Sequence, residues 1–239
     1  LQKIFSPRAI IERSDVNSRK FEGLEEARGV LQRFSVVVPA SITEALNDPA
    51  NETLKPGDPA FANATALIAA RPSDAFAAAT EAAERLGYRV VNLGAELEGE
   101  ARAIAAQHAA VALREREAGD KVALLSGGEL TVTIKGDGQG GPNQEYALAL
   151  AIALGGVEGI VALAADTDGT DGGRGAPDDP AGAIIDSTTL SRAAEVGIEP
   201  STMLERNDST GFFTALGDLH VCGPTLTNAN DLRVILISD

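Results

Sequence analysis

The 239-residue chain is 44 % hydrophobic and carries 35 Asp plus Glu against 20 Lys plus Arg, a formal net charge of −15 that repels nucleic-acid phosphates and anionic membrane surfaces. No apolar run approaches the roughly 18 residues of a membrane span, and the single cysteine, Cys222, excludes an internal disulfide framework. With no signal-peptide pattern after Leu1, the reading is a cytoplasmic α/β protein with small-molecule partners, no nucleic acid, no membrane, and room for homo-oligomerisation.

Residues 1–20 are loop-like, although Ile4, Phe5, Ile10 and Ile11 could join a strand. Leu24, Ala27, Val30, Leu31 and Phe34 stand at helical spacing, and a second helix follows over residues 39–46 with Pro39 near its first turn. Residues 47–59 hold three prolines and form a surface connection. A βαβα rhythm then predicts a strand at 64–70, a helix at 72–86, a strand at 88–93 and a helix at 98–117. Such alternation implies layered, mostly parallel sheets. Gly119-Asp120 marks a boundary between domains 1–118 and 119–239.

Past it, residues 122–125 form an apolar strand, Ser126-Gly127-Gly128-Glu129 turns, and residues 131–135 alternate, so the pair reads as a hairpin. A glycine run then opens a helix that starts at Pro142 and ends at Leu154. An apolar strand follows at 160–165, a further one at 181–185, a helix at 187–196, short helical pieces at 201–216, a loop at 223–231 and a last strand at 234–237.

The chemistry concentrates after the strand at 160–165. Asp166, Asp168 and Asp171 place three carboxylates in six residues, which cannot be core unless a cation or hydrogen-bond donors face them. The crevice past the carboxyl end of such a strand is where open α/β sheets bind ligands, and with Thr170 this loop forms one wall of it. A solvated acidic turn is the bland alternative. Asp166-x-Asp168-Gly-Thr170 also imitates phosphatases with an aspartate nucleophile, but no lysine follows Lys135 to offset the charge. A calcium loop fails because Asp171 and Pro177 stand where Gly and Glu are needed.

Gly136, Gly138 and Gly141 satisfy G-x-G-x-x-G between a strand and a helix, so Gly138, Gly140 and Gly141 are candidates for a phosphate cradle or, less well supported, a dinucleotide site. Ser126, Gly127 and Gly128 can face the same crevice, with Glu129 placed to hold a magnesium-bound water or a substrate hydroxyl. Asn143 and Glu145 either cap the following helix or point at a ligand. Thr225, Asn228 and Asp231 belong to a hydroxyl-rich loop that suits an Asx-turn network as well as a ligand. His108 and His220 share no metal or triad spacing and read as structural, and Cys222 as a small buried residue.

Leu125-Ser-Gly-Gly-Glu129, Gly140-Gly-Pro-Asn-Gln-Glu145, Ala164-Ala-Asp-Thr-Asp-Gly-Thr-Asp-Gly172, Ala181-Gly-Ala-Ile-Ile-Asp186 and Gly223-Pro-Thr-Leu-Thr-Asn-Ala-Asn-Asp231, in this order, resemble the MOFRL family. These are glycerate 2-kinases whose members often carry the name hydroxypyruvate reductase of tartrate utilisation. The resemblance implies two α/β domains with an active-site cleft between them, residues 1–118 being part of the N-terminal domain and 119–239 the MOFRL domain. It also implies transfer of the γ-phosphoryl of ATP to the 2-hydroxyl of D-glycerate with Mg2+.

In that reading Asp168, Asp166 and Glu129 are catalytic, and Asp166, Asp168 and Asp171 hold the metal. Ser126, Gly127, Gly128, Gly138, Gly140, Gly141, Asn143, Glu145, Thr170, Thr225, Asn228 and Asp231 contact phosphate or substrate. Many relatives have Arg where this chain has Pro142, and their active-site lysine belongs to an N-terminal half with no counterpart in these residues. An NAD(P)H-dependent hydroxypyruvate reductase is the alternative, and a non-catalytic binding fragment the third reading.

Overall fold

The computed structural model describes residues 23–55, 58–62 and 71–238. The loop-like residues 1–20 and the strand expected at 64–70 lie outside them. The chain divides into two units, Leu1–Ala69 and Ala70–Asp239.

In the first unit, α1 (Leu24–Arg33) and α2 (Ala40–Asn47) follow the expected spacing. Glu25 and Glu26 in the first turn of α1 and Arg33 in its last complement the helix dipole. The connection Pro49–Asn51 is a single 3-10 turn whose free amide at Ala50 is capped by Asp48 at 2.9 Å.

The second unit runs α3 (Pro72–Arg85), β1 (Arg89–Glu100), α4 (Ala101–Ala118), β2 (Val122–Thr131), α5 (Pro142–Leu154) and β3 (Ile160–Asp166). It continues with β4 (Gly182–Ile185), α6 (Thr189–Glu195), α7 (Pro200–Glu205), α8 (Ser209–Leu216), β5 (Leu219–His220) and β6 (Asp231–Ile237). The six strands lie in one sheet in the order β1-β2-β6-β3-β4-β5. No helix among the described residues is long and apolar enough to cross a membrane.

The α/β class holds, but the sheet is mixed where a mostly parallel one was expected. Only β1 and β2 pair in parallel; β2–β6, β6–β3, β3–β4 and β4–β5 are antiparallel. The alternating strands β1, β2 and β3 do point the same way, as the rhythm implied. The last strand, however, inserts between β2 and β3 in the opposite sense, and β4 returns beside β3. Gly119, expected as a boundary, is the left-handed C-cap of α4, and β1 and α4 belong to the same unit as β2.

The core helix is α5. Its sequence is apolar nearly all round, and ten of its thirteen residues are buried, which requires covering on every side. The small side chains of Ala101, Ala105, Ala109 and Ala112 on α4 let that helix approach it, and Phe212 and Phe213 of α8 join the same cluster.

The expected hairpin is absent: Ser126-Gly127-Gly128-Glu129 continues β2 without a turn. Its glycines admit β1, whose register shifts between Asn92 and Leu97. Gly128 has φ +92°, and a Cβ there would lie 2.1 Å from the Leu97 nitrogen. Gly128→Ala is therefore expected to destabilise the unit by roughly 2–3 kcal/mol, read as a fall in thermal midpoint; an unchanged midpoint would refute the close-approach account.

Candidate functional site

The carboxyl ends of β2 and β3 meet the amino end of β6. Asp231 stands directly opposite Gly128 on one side and Asp166 on the other. Directly opposed residues of an antiparallel pair share a face, so two carboxylates confront each other across β3 and β6, which is unfavourable without a counter-charge.

The loop after β3 is built from successive Asx turns. Asp166 Oδ1 accepts from the Asp168 amide and Asp168 Oδ1 from the Thr170 amide, both at 2.9 Å. The loop at 223–231 clamps it: Thr167 Oγ1 donates to the Asn230 carbonyl at 2.8 Å, Thr225 Oγ1 donates to the Thr167 carbonyl at 2.6 Å, and Asn228 Nδ2 reaches Asp168 Oδ2 at 3.5 Å. Thr170 Oγ1 turns to Asp179 at 3.4 Å. Burial, then the negative charges of Asp168 and Asp231, push the Asp166 carboxyl up to about 7.

Asp171 is drawn elsewhere. Its Oδ1 accepts from the Asn143 amide at 3.0 Å and Asn143 Nδ2 at 3.2 Å, and its Oδ2 from the Gln144 amide at 2.9 Å and Gln144 Nε2 at 3.0 Å. It is the acceptor that closes the N-terminus of α5. Burial still raises its carboxyl above the ordinary value, against those four donors. Asn143 bridges onward, its Nδ2 donating to Asp231 Oδ1 at 2.7 Å.

Arg233, which the sequence reading did not single out, completes this network. Its guanidinium donates to Asp231 Oδ2 at 2.9 Å, the Gly127 carbonyl at 2.7 Å, the Gly128 carbonyl at 3.2 Å and Ser126 Oγ at 3.3 Å. The guanidinium lies 5.6 Å from the centre of the Tyr146 ring. Tyr146 OH pairs at 2.8 Å with His108 Nδ1, and burial lowers that imidazole to about 4, so it is neutral at physiological pH. The available signal was an arginine one position before an apolar run expected as a strand.

The remaining candidates stand apart from the aspartates. Glu129 is exposed and lies opposite Glu98 in the β1–β2 register. Glu145 is buried between Arg102 Nε at 2.7 Å and Asn207 Nδ2 at 2.9 Å. Asn207 Oδ1 in turn accepts from the Lys135 and Gly136 amides, at 2.7 and 3.0 Å. The amides of Gly138 and Gln139 go to the Arg206 carbonyl and to Asp208 Oδ1. A Cβ on Gly138 would meet the Asp208 Cβ at 2.4 Å, so the glycine run makes room for the protein's own chain. Gly140 abuts Ser209, and Gly141, the N-cap of α5, abuts Asp171. Cys222, expected to be buried, is exposed.

Among the described residues no three His, Cys, Asp or Glu side chains gather to hold a metal ion by themselves. Of the three carboxylates expected to hold the metal, Asp171 is engaged by the N-terminus of α5. The donors on Asp166 and Asp168 are backbone amides and one Asn, while Arg233 serves Asp231. Two neighbouring carboxylates without a protein cation are oxygen donors of the kind that suit a magnesium ion.

Fold and site define an α/β domain with acidic side chains gathered where the carboxyl ends of β2 and β3 meet the amino end of β6. Residues 122–231 match the MOFRL family model. A protein of Agrobacterium vitis with a provisional hydroxypyruvate reductase name is 44 % identical over 220 residues, covering 90 % of this chain and 48 % of that protein. A D-glycerate 2-kinase of Thermotoga maritima is 35 % identical over 217 residues, covering 89 % and 49 %. The crystal structure of a Thermotoga maritima glycerate kinase superposes with a TM-score of 0.75 at 31 % identity, over 96 % of this chain and 56 % of that one. The chain spans about half the length of these relatives.

Proposed function

We propose that the protein carrying this chain is a cytoplasmic glycerate kinase that moves the γ-phosphoryl of ATP to the 2-hydroxyl of D-glycerate. The observation that carries this reading is the Asp166–Asp168 pair at the end of β3, in a chain similar to glycerate kinases over about nine-tenths of its length. Phosphoryl transfer needs positioning and charge compensation and little covalent chemistry from the protein. Asp168, tethered to Asn228, with Asp166 beside it, would hold the magnesium ion. When bound, that ion neutralises negative charge on the phosphates.

Asp166 reaches about 7 in the metal-free protein; a bound cation would keep it ionised, and as a carboxylate beside the metal it would accept the substrate hydroxyl's proton. Asp231, fixed by Arg233 and Asn143, stands opposite it in the β3–β6 register. The clamp from Thr225 and Thr167 keeps the loop in one conformation as anionic substrates arrive.

A hydride-transferring reductase is supported by the names of the Agrobacterium vitis relatives and by the glycine spacing. Against it, the Gly136, Gly138 and Gln139 amides and the first amides of α5 already have partners within the chain. A pyrophosphate at that helix would also face the Asp171 carboxylate. Two assays of the whole protein with Mg2+ separate the readings: ADP formation from ATP plus D-glycerate, and NADH or NADPH oxidation with hydroxypyruvate. Glycerate-dependent ADP without nicotinamide oxidation is expected; nicotinamide oxidation without ADP would overturn the kinase.

A further inference from the structure

Arg233 lies fully buried in a strand whose other inward residues are its partner Asp231 and the apolar Ile235 and Ile237. Burying a guanidinium is costly unless its donors are all engaged. Here each nitrogen is: Nε by Ser126 Oγ, Nη1 by Asp231 Oδ2 and, at 3.4 Å, Asn143 Oδ1, and Nη2 by the Gly127 and Gly128 carbonyls. These acceptors come from the end of β2, the first turn of α5 and the start of β6. A planar fork satisfies acceptors in such fixed directions; an ammonium on a flexible stem does not.

With its side chain wholly buried, Arg233 is closed to a ligand and acts through its partners. From it the bonds run to Asp231, then through Asn143 to Asp171, which lies within the aspartate loop. We propose that Arg233 is a positioning residue that ties β2, β6 and α5 together beneath the crevice and thereby holds the Asp166–Asp168 loop in the geometry required for phosphoryl transfer. The inference rests on the kinase reading for its activity readout and not for its structural one.

The test compares Arg233→Lys with Ile235→Ala, a truncation two residues along on the same buried side of β6. Both lower the thermal midpoint. Arg233→Lys is expected to lower kcat for glycerate-dependent ADP formation by about 30-fold or more, with KM for ATP and glycerate within about threefold. Ile235→Ala leaves kcat within about twofold. Hydrogen exchange of the Asn143, Gln144, Asp168 and Thr170 amides, all held by crevice carboxylates, rises selectively in Arg233→Lys. Equal kcat in the two variants, or exchange at those amides no faster than in Ile235→Ala, overturns the proposal.

If the unaltered protein forms no glycerate-dependent ADP, the kinase reading fails and the exchange pattern alone decides the role of Arg233. Should Arg233→Lys not fold, Ser126→Ala deletes one of its bonds and is expected to lower kcat by about threefold and to raise exchange at the same amides. Unchanged kcat and unchanged exchange there overturn the proposal equally.

Discussion

Asp166→Asn is expected to cut glycerate-dependent ADP formation by about 100-fold or more and, in EDTA at pH 8, to raise the thermal midpoint. Asn matches the shape of the carboxylate and removes both the proton acceptor and the charge that faces Asp231 and Asp168. The stability gain follows from linkage. A carboxyl raised to about 7 in the folded protein and near its ordinary value of about 3.9 when unfolded holds its proton more tightly in the folded state.

Folding stability from this group is therefore lost as pH rises from about 4 to about 7 and is constant above. The gap between variant and unaltered protein should open across that window. His108 titrates there with the opposite sign, since its lowered value makes acid destabilising; because it is present in both proteins, it cancels in their difference. Melts from pH 4.5 to 8.5 give the answer, and a pH-independent gap would refute the account of Asp166 as a half-buried carboxylate facing Asp168 and Asp231.

Local signals made the helices legible. α5 begins at Pro142 and ends before Gly155 as expected because its start and stop depend on adjacent residues only. Asp166 and Asp168 were legible because clustered carboxylates after an apolar strand carry their desolvation problem in the sequence itself.

What could not be read is what depends on partners far along the chain. Gly127 and Gly128 have turn-like composition, yet they serve the approach of β1, some thirty residues upstream. Gly138 has the spacing that admits a pyrophosphate, and the space is taken by Asp208. The insertion of β6 between β2 and β3 is a matter of topology, which strand alternation does not specify. It is this insertion that brings Asp231 opposite Asp166 and places Arg233 beneath the crevice. Asp171 was grouped with its neighbours in sequence, but its donors lie at Asn143 and Gln144.

Those donors lead to the second large effect: Asp171→Ala is expected to destabilise the protein by about 3–5 kcal/mol. The substitution leaves two α5 amides and the Asn143 and Gln144 side-chain amides facing a buried space without their acceptor. It also withdraws the negative charge that offsets the helix dipole at this end. For a unit of this size the loss corresponds to a fall in thermal midpoint of roughly 10 °C.

A metal ligand behaves in the opposite way, because removing one carboxylate from a repelling cluster leaves the metal-free protein as stable or more so. Asp168→Asn, at a half-buried position of the same loop, supplies that contrast: its midpoint in EDTA should hold while its turnover falls. If Asp171→Ala instead melts like Asp168→Asn, Asp171 returns to the ligand set. The N-terminus of α5 would then need another acceptor, and a phosphate would be the natural one to fill it.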